Sequence, residues 1–278
     1  MSGVTGGPVG VPLAVTLGLA FTDHDALDAP RFTGLENLRR LTGDPLFRTA
    51  LWNSLLFAAL AVPLRLMAVL GATLLFGARR AGATAGRAAV YLPTVVPEIA
   101  TALAWVWIVN PLFGPLPLAL RALGIEQGWW LLDPWGARTT LALVSAFTIG
   151  EGFLVALAAR HDIPRAYDEA ALMEGASPWW TLRHVTLPLL APVLALLVAR
   201  DIAVSVQASF VPALIITEGG PFNATTFLSL ESYRNAFGFF RLGYASAMTL
   251  VTYVVTVGLV GAQALVVRRW WRGPVPGR

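Results

Sequence analysis

Glu169-Ala170-Ala171, three residues, Gly175, nine residues, then Val185-Thr186-Leu187-Pro188: this pattern lies in a polar break between two long apolar segments. The break predicts a helix over 163–175. It ends where Gly175 tolerates the left-handed geometry of a helix stop, and Pro178 soon afterwards blocks simple continuation. A short helix lying across a membrane surface follows. Glutamate and small alanines in that position supply docking contacts rather than catalysis. Glu-Ala-Ala alone is ordinary helix composition; its full spacing between two apolar segments gives it weight.

Five long apolar runs surround the pattern, at 50–78, 88–113, 139–159, 189–217 and 243–267, each interrupted by few polar residues. A helix needs about 20 residues to cross about 30 Å of hydrocarbon, so each run is long enough to span a membrane. A sixth run, 8–21, is shorter and lacks a basic n-region, which makes it a poor signal peptide and a shortened first membrane helix. The expected fold is therefore an all-α polytopic membrane protein of about six transmembrane helices, one transport domain over 1–278. A cytoplasmic loop at 161–188 lies between its fourth and fifth spans.

Composition agrees, with 56% hydrophobic and 13% charged residues and a mean hydropathy of +0.66. The net charge of +4 comes from residues scattered between apolar segments, so it points to membrane orientation and not to nucleic acid. Arg79, Arg80 and Arg87 crowd one short acid-free connection, and Arg268, Arg269, Arg272 and Arg278 crowd the tail. Both place the cytoplasm on the side that also receives Glu169, two spans later. Trp129, Trp130 and Trp135 beside a span, with Trp270 and Trp271, suit membrane interfaces; the competing use of the first group is a sugar-stacking platform.

All twenty basic residues are arginine. A Walker A loop needs a lysine on the nucleotide phosphates, so a standard P-loop ATPase site is excluded and any ATP-derived energy comes from another subunit. The chain has no cysteine, which removes disulfides, thiol catalysis and thiolate metal sites. His24, His161 and His184 are far apart and lack metal-ligand spacing, so no metal and no cofactor is expected.

The Glu169 pattern resembles the EAA loop of permease subunits of binding-protein-dependent ABC importers: Glu-Ala-Ala, three residues, Gly, nine residues, Ile-x-Leu-Pro. Only the Ile departs, to Val185. Thr217-Glu218-Gly219-Gly220-Pro221, Asn223-Ala224-Thr225-Thr226 and Ser232-Tyr233-Arg234-Asn235-Ala236-Phe237 resemble the outer loop of maltose-type sugar permeases. Gly243-Tyr244-Ala245, Phe32-Thr33-Gly34-Leu35-Glu36-Asn37-Leu38 and Asn53-Ser54 extend the likeness over nearly the whole chain. The resemblance implies a multi-pass inner-membrane permease subunit for a sugar or related polyol. Its implied partners are cytoplasmic ABC ATPase subunits, a second permease subunit, an extracytoplasmic solute-binding protein and membrane lipid. Glu169, Ala170, Ala171, Gly175, Leu187 and Pro188 would couple ATPase closure to the membrane path.

Polar groups within spans are costly and mark paths or structural pairs. Glu98, Glu151, Ser205, Gln207 and Ser209 are the path candidates, beside Arg65, Arg200 and Asp201. Arg200 and Asp201 are sequence neighbours pointing to different parts of a helix, so they are not expected to pair with each other. Alternating access driven by ATP is the implied mechanism. An ion-gradient-driven secondary transporter, using the buried acids, is the alternative reading.

Overall fold

The computed structural model describes residues 7–25, 28–77, 82–124, 130–207 and 209–271. Arg79, Arg80, Trp129, Arg272 and Arg278 lie outside the described residues, as do the side chains of Trp270 and Trp271. A short helix, α1 (Gly7–Leu19), leads through two paired two-residue strands, Thr22–Asp23 and Arg31–Phe32, to α2 (Glu36–Gly43). The first long helix, α3 (Pro45–Phe76), starts five residues before the apolar run that announced it. The Asp44 side chain accepts from the backbone N–H groups of Leu46 and Phe47, and Pro45 sits where its missing N–H costs nothing, so the polar start is capped.

The next two spans are broken. α4 (Ala83–Val95) and α5 (Glu98–Ile108) meet at 104°, and α7 (Pro134–Phe147) and α8 (Gly150–Asp162) at 51°, with α6 (Pro115–Ala122) between the pairs. Pro97 explains the first break: the residue before a proline avoids the helical region, and Val96 is extended with ψ 133°. Then come α9 (Arg165–Met173), α10 (Pro178–Thr181) and α11 (Leu187–Gln207), the last two joined by a π-helical turn over Leu182–Thr186. That wide turn lies beside Pro188, which can donate no hydrogen bond and whose ring presses on the preceding turn. The helical run consequently begins at Pro178, well before the predicted start at 189. α12 (Phe210–Pro212), α13 (Leu228–Tyr233) and α14 (Leu242–Trp271) complete the chain.

Among the described residues, three helices are long and apolar enough to cross a membrane, and each bent pair meets the same standard when taken together. Helix α3 is the axis, packing against α7, α8 and α11. Three apolar clusters follow one another along it: Phe47 and Ala50 with Leu228 and Met248; Phe57 and Ala61 with Leu141 and Phe227; Val69 and Ala72 with Phe153 and Leu197. Met67, Leu75, Leu196, Val254 and Val257 point outward and exposed, as lipid-facing or partner-facing residues do. Arg65 lies between the second and third clusters. A charge there interrupts the core and needs a reason.

Candidate translocation path and coupling surface

A cavity of about 290 Å³ opens beside Arg65, where both breaks meet α3 and α11. The breaks hold each other: the N–H of Gly150 donates to Thr94 Oγ1 at 3.0 Å. A side chain at Gly150 would press on the Tyr91 backbone at 3.0 Å, so the approach requires glycine. Each break thereby delivers an acid at the start of its second helix, Glu98 on α5 and Glu151 on α8, to the cavity wall.

Four of the intramembrane charges, Arg65, Glu151, Arg200 and Asp201, form one connected set. Arg65 Nη2 lies 3.5 Å from Asp201 Oδ1, with both side chains under a tenth exposed. Arg200 pairs with Glu151 across α11 and α8 and also donates to Asp201 Oδ1 at 3.1 Å. The expectation that Arg200 and Asp201 do not pair with each other is therefore corrected. Each has a partner on another helix, but the long guanidinium also reaches its neighbour. Such linkage keeps two cations and two acids tolerable within a bundle.

Of the predicted path residues, Glu98, Glu151, Ser205 and Ser209 line this one cavity. Gln207 does not; it is exposed in a separate recess with Ser229, Ser232 and Thr252. Helical geometry is the cause, because Gln207 is two residues from Ser205 and so falls on the other side of α11. Thr94, Thr101 and Ser145 also line the cavity and were missed. Only the nearby proline hinted at Thr94.

The Glu169 segment forms a helix shorter than the predicted 163–175. Pro164 is its N-cap, so helical geometry begins at Arg165. At the other end Gly175 has φ +75°, its N–H donates to Leu172 O at 3.0 Å, and Ala176 N–H donates to Ala171 O at 2.9 Å. Those two bonds around a left-handed glycine are a Schellman stop. Asp168 and Ala171 face inward, Asp168 through a 2.7 Å ion pair with Arg160 and Ala171 by burial. Glu169, Ala170, Leu172 and Met173 face out; Met173 is 88% exposed. Leu187 is half-buried and Pro188 exposed, at the start of α11.

Apolar helices around a polar cavity, two of them broken there, together with an outward-facing helical loop, define an integral-membrane transport subunit. The chain belongs to the family of binding-protein-dependent transport system inner membrane components, matched over residues 66–272. It is 34% identical over 255 residues to the probable ABC transporter permease YesP of Bacillus subtilis, covering 90% of this chain and 82% of that one. It is 28% identical over 240 residues to the sn-glycerol-3-phosphate permease UgpA of Yersinia enterocolitica, covering 86% and 81%. The fold matches a chain in the crystal structure of a bacterial importer of the acidic polysaccharide alginate, with TM-score 0.79, 22% identity and coverage of 95% and 91%. The chain is thus a multi-pass inner-membrane permease subunit of an ABC importer, and the ion-gradient alternative falls away.

Proposed function

We propose that the chain forms part of the translocation path for a sugar or related polyol and couples it to a separate cytoplasmic ATPase through the loop at 161–188. The exposed face of α9 carries this reading. A helix that ends in a closed Schellman stop, is tied down by Asp168 and Ala171, and is left with Glu169, Leu172 and Met173 uncovered has the form of a docking element. Glu169 would receive hydrogen bonds from the ATPase, Ala170 would permit close approach, and Ala171 and Gly175 would fix the helix that presents them. Leu187 and Pro188 would set the direction of the run leaving the loop. The cavity beside Arg65 would belong to the solute path, completed by a second permease subunit and supplied by an extracytoplasmic solute-binding protein.

Sugar or polyol transport is supported by the outer-loop resemblance and by the solutes named for the relatives. The absence of any lysine supports an ATPase site on another subunit. Reconstitution tests the reading. The purified chain is expected to show no ATPase activity, and the assembled complex to accumulate solute with ATP and without an imposed ion gradient. Uptake that follows an ion gradient alone defeats the proposal.

A further inference from the structure

A second cavity, of about 490 Å³, lies where α3, α8 and α9 meet. Its wall comes from the closing turns of α3 and α8 and the opening turn of α9, and it carries Thr73, Gly77, Arg160, His161, Arg165 and Asp168. Among the described residues it shares no lining residue with the cavity beside Arg65. Nor does it take in Glu169, Leu172 or Met173, the uncovered residues of α9, so it lies on the Asp168 side of that helix and not on the docking face.

The charges on this wall do not cancel. Arg160 Nη2 donates to Asp168 Oδ2 at 2.7 Å, which pairs one cation with the one acid of the wall. His161 Nε2 lies 3.1 Å from Gly77 O; a carbonyl only accepts, so the ring donates there. Arg165 is left without an ion pair or a side-chain hydrogen bond among the described residues. The Asp168 bond occupies one N–H of Arg160 and leaves the rest of its guanidinium free to donate. With His161 neutral the wall therefore holds one positive charge in excess and a surplus of donors. A singly charged group with several acceptor oxygens answers both, and a phosphate does so in the paired geometry that guanidinium favours. An amine would meet Arg165 as a like charge and bring donors where acceptors are lacking.

The position of the cavity says what carries the phosphate. α3 ends at Phe76, and in its last turn Leu74 and Leu75 are 42% and 72% exposed. Leu74 belongs to the cavity wall as well. Apolar outward surface thus runs directly into a cationic recess at the place where a membrane-crossing helix stops, which is the level of lipid headgroups. A free anion uses the arginines alone, whereas a phospholipid also covers the leucines. We propose that this cavity binds the phosphate of an anionic phospholipid, held by Arg160 and Arg165, with an acyl chain along Leu74 and Leu75. Such a lipid braces α9 against the ends of α3 and α8 from the side away from its docking face. The site stands whether or not α9 docks an ATPase, and so goes beyond the transport reading.

Native mass spectrometry tests it on the full-length chain, released from micelles holding equal amounts of phosphatidylglycerol and phosphatidylcholine with the same acyl chains. Phosphatidylglycerol is expected to be retained about fivefold more, because its headgroup carries the phosphate charge without an ammonium to oppose Arg165. Arg165→Gln removes an exposed side chain that bonds nothing among the described residues, so thermal unfolding stays unchanged while the preference falls to within about twofold. Arg183→Gln removes an exposed arginine of the same loop outside the cavity, and is expected to keep the full preference. Inorganic phosphate is expected to release no more lipid than chloride does at the same ionic strength. Equal retention of the two lipids, a preference unchanged by Arg165→Gln, or an equal loss in Arg183→Gln overturns the proposal. Specific release by inorganic phosphate makes the cavity a free-anion site and overturns it too. So does an Arg165→Gln chain that keeps its lipid preference but loses ATPase association, which assigns the cavity to the ATPase. ATP-driven uptake by the assembled complex is measured separately, so the lipid site can fail while the transport reading stands.

Discussion

Residues 217–237 and 161–188 both connect helices, yet they dispose of their polar groups in opposite ways. In the first, Thr225 and Thr226 are fully buried. Thr225 Oγ1 donates to Gly220 O at 2.7 Å, and Thr226 Oγ1 to Gly219 O at 3.1 Å. Asn53 on α3 donates to the carbonyls of Asn223 and Thr226, and its own amide oxygen accepts from Arg138. In the second, backbone bonds close the stop of α9 but its outer face is exposed. The 217–237 loop closes these polar groups on its own chain, whereas the outer face of α9 in the 161–188 loop stays exposed.

The largest expected effect breaks function without breaking the fold. Glu169→Lys reverses a charge on an exposed face, and Gly175→Asp adds a side chain where nothing lies within 4 Å but φ is +75°. Backbone strain at Gly175→Asp costs about 1 kcal/mol, since aspartate visits the left-handed region more readily than most residues. Each variant is expected to insert and unfold almost normally and to lose ATPase association or ATP-driven uptake by about tenfold or more. Assembly, hydrolysis and uptake are to be measured together. Normal assembly and uptake in both variants would defeat the docking role of α9.

The 217–237 loop gives the converse result. Asn53→Leu deletes both donors to buried carbonyls and the acceptor for Arg138, and is expected to cost about 2–4 kcal/mol. The readout is thermal unfolding in detergent, with loss of uptake no greater than the loss of folded protein. A functional defect in a fully stable Asn53→Leu protein would show that this loop, too, serves a partner.

This contrast was partly legible in the sequence. Gly175 and Pro178 carried the stop of α9 in plain form, because a left-handed residue and a missing donor are local facts. The apolar runs carried the spans for the same reason, although 88–113 and 139–159 each conceal a bend. Pro97, which the count of apolar residues passes over, is the local cause of the first. Nothing as local marked the second, between Phe147 and Gly150, whose geometry is fixed by contact with Thr94. The Arg65, Asp201, Arg200 and Glu151 set was legible as a list of costly charges but not as pairs. Pairing depends on how three helices pack, and periodicity within one helix is silent about that.

A smaller effect sharpens the description of 217–237 as a closed loop. Glu231 is 3% exposed, accepts from Asn235 Nδ2 at 2.8 Å through Oε1, and has an Oε2 without a partner among the described residues. Burial raises its proton affinity above the usual carboxylate range, opposed by the Asn235 hydrogen bond and the nearby Arg234. The folded state therefore binds this proton more readily than the unfolded state does. The resulting stabilisation is complete below the unfolded value of about 4.3 and declines as pH rises through the folded one. Unfolding temperature is expected to fall across that window in the unaltered chain, and the contribution to vanish in Glu231→Gln. Equal pH slopes in the two proteins would contradict the assignment.

The smallest effect asks whether the 161–188 loop holds its shape unaided. Ser177 caps α10: its hydroxyl oxygen accepts from Trp180 N–H at 3.2 Å, and Pro178 follows at the first helical position. Ser177→Ala leaves that N–H without its side-chain acceptor, a loss of about 1 kcal/mol at an exposed helix start. The Schellman stop at Gly175 uses only backbone groups and remains, and α9 is still tied down by Asp168 and Arg160. Amide exchange is therefore expected to rise about fivefold over Trp179 to Thr181 and to stay unchanged over Arg165 to Met173, with global unfolding unaffected. Faster exchange spreading back through α9 would mean that the docking helix borrows its order from the cap beyond it. The contrast between the two loops would then rest on the docked ATPase and not on the chain.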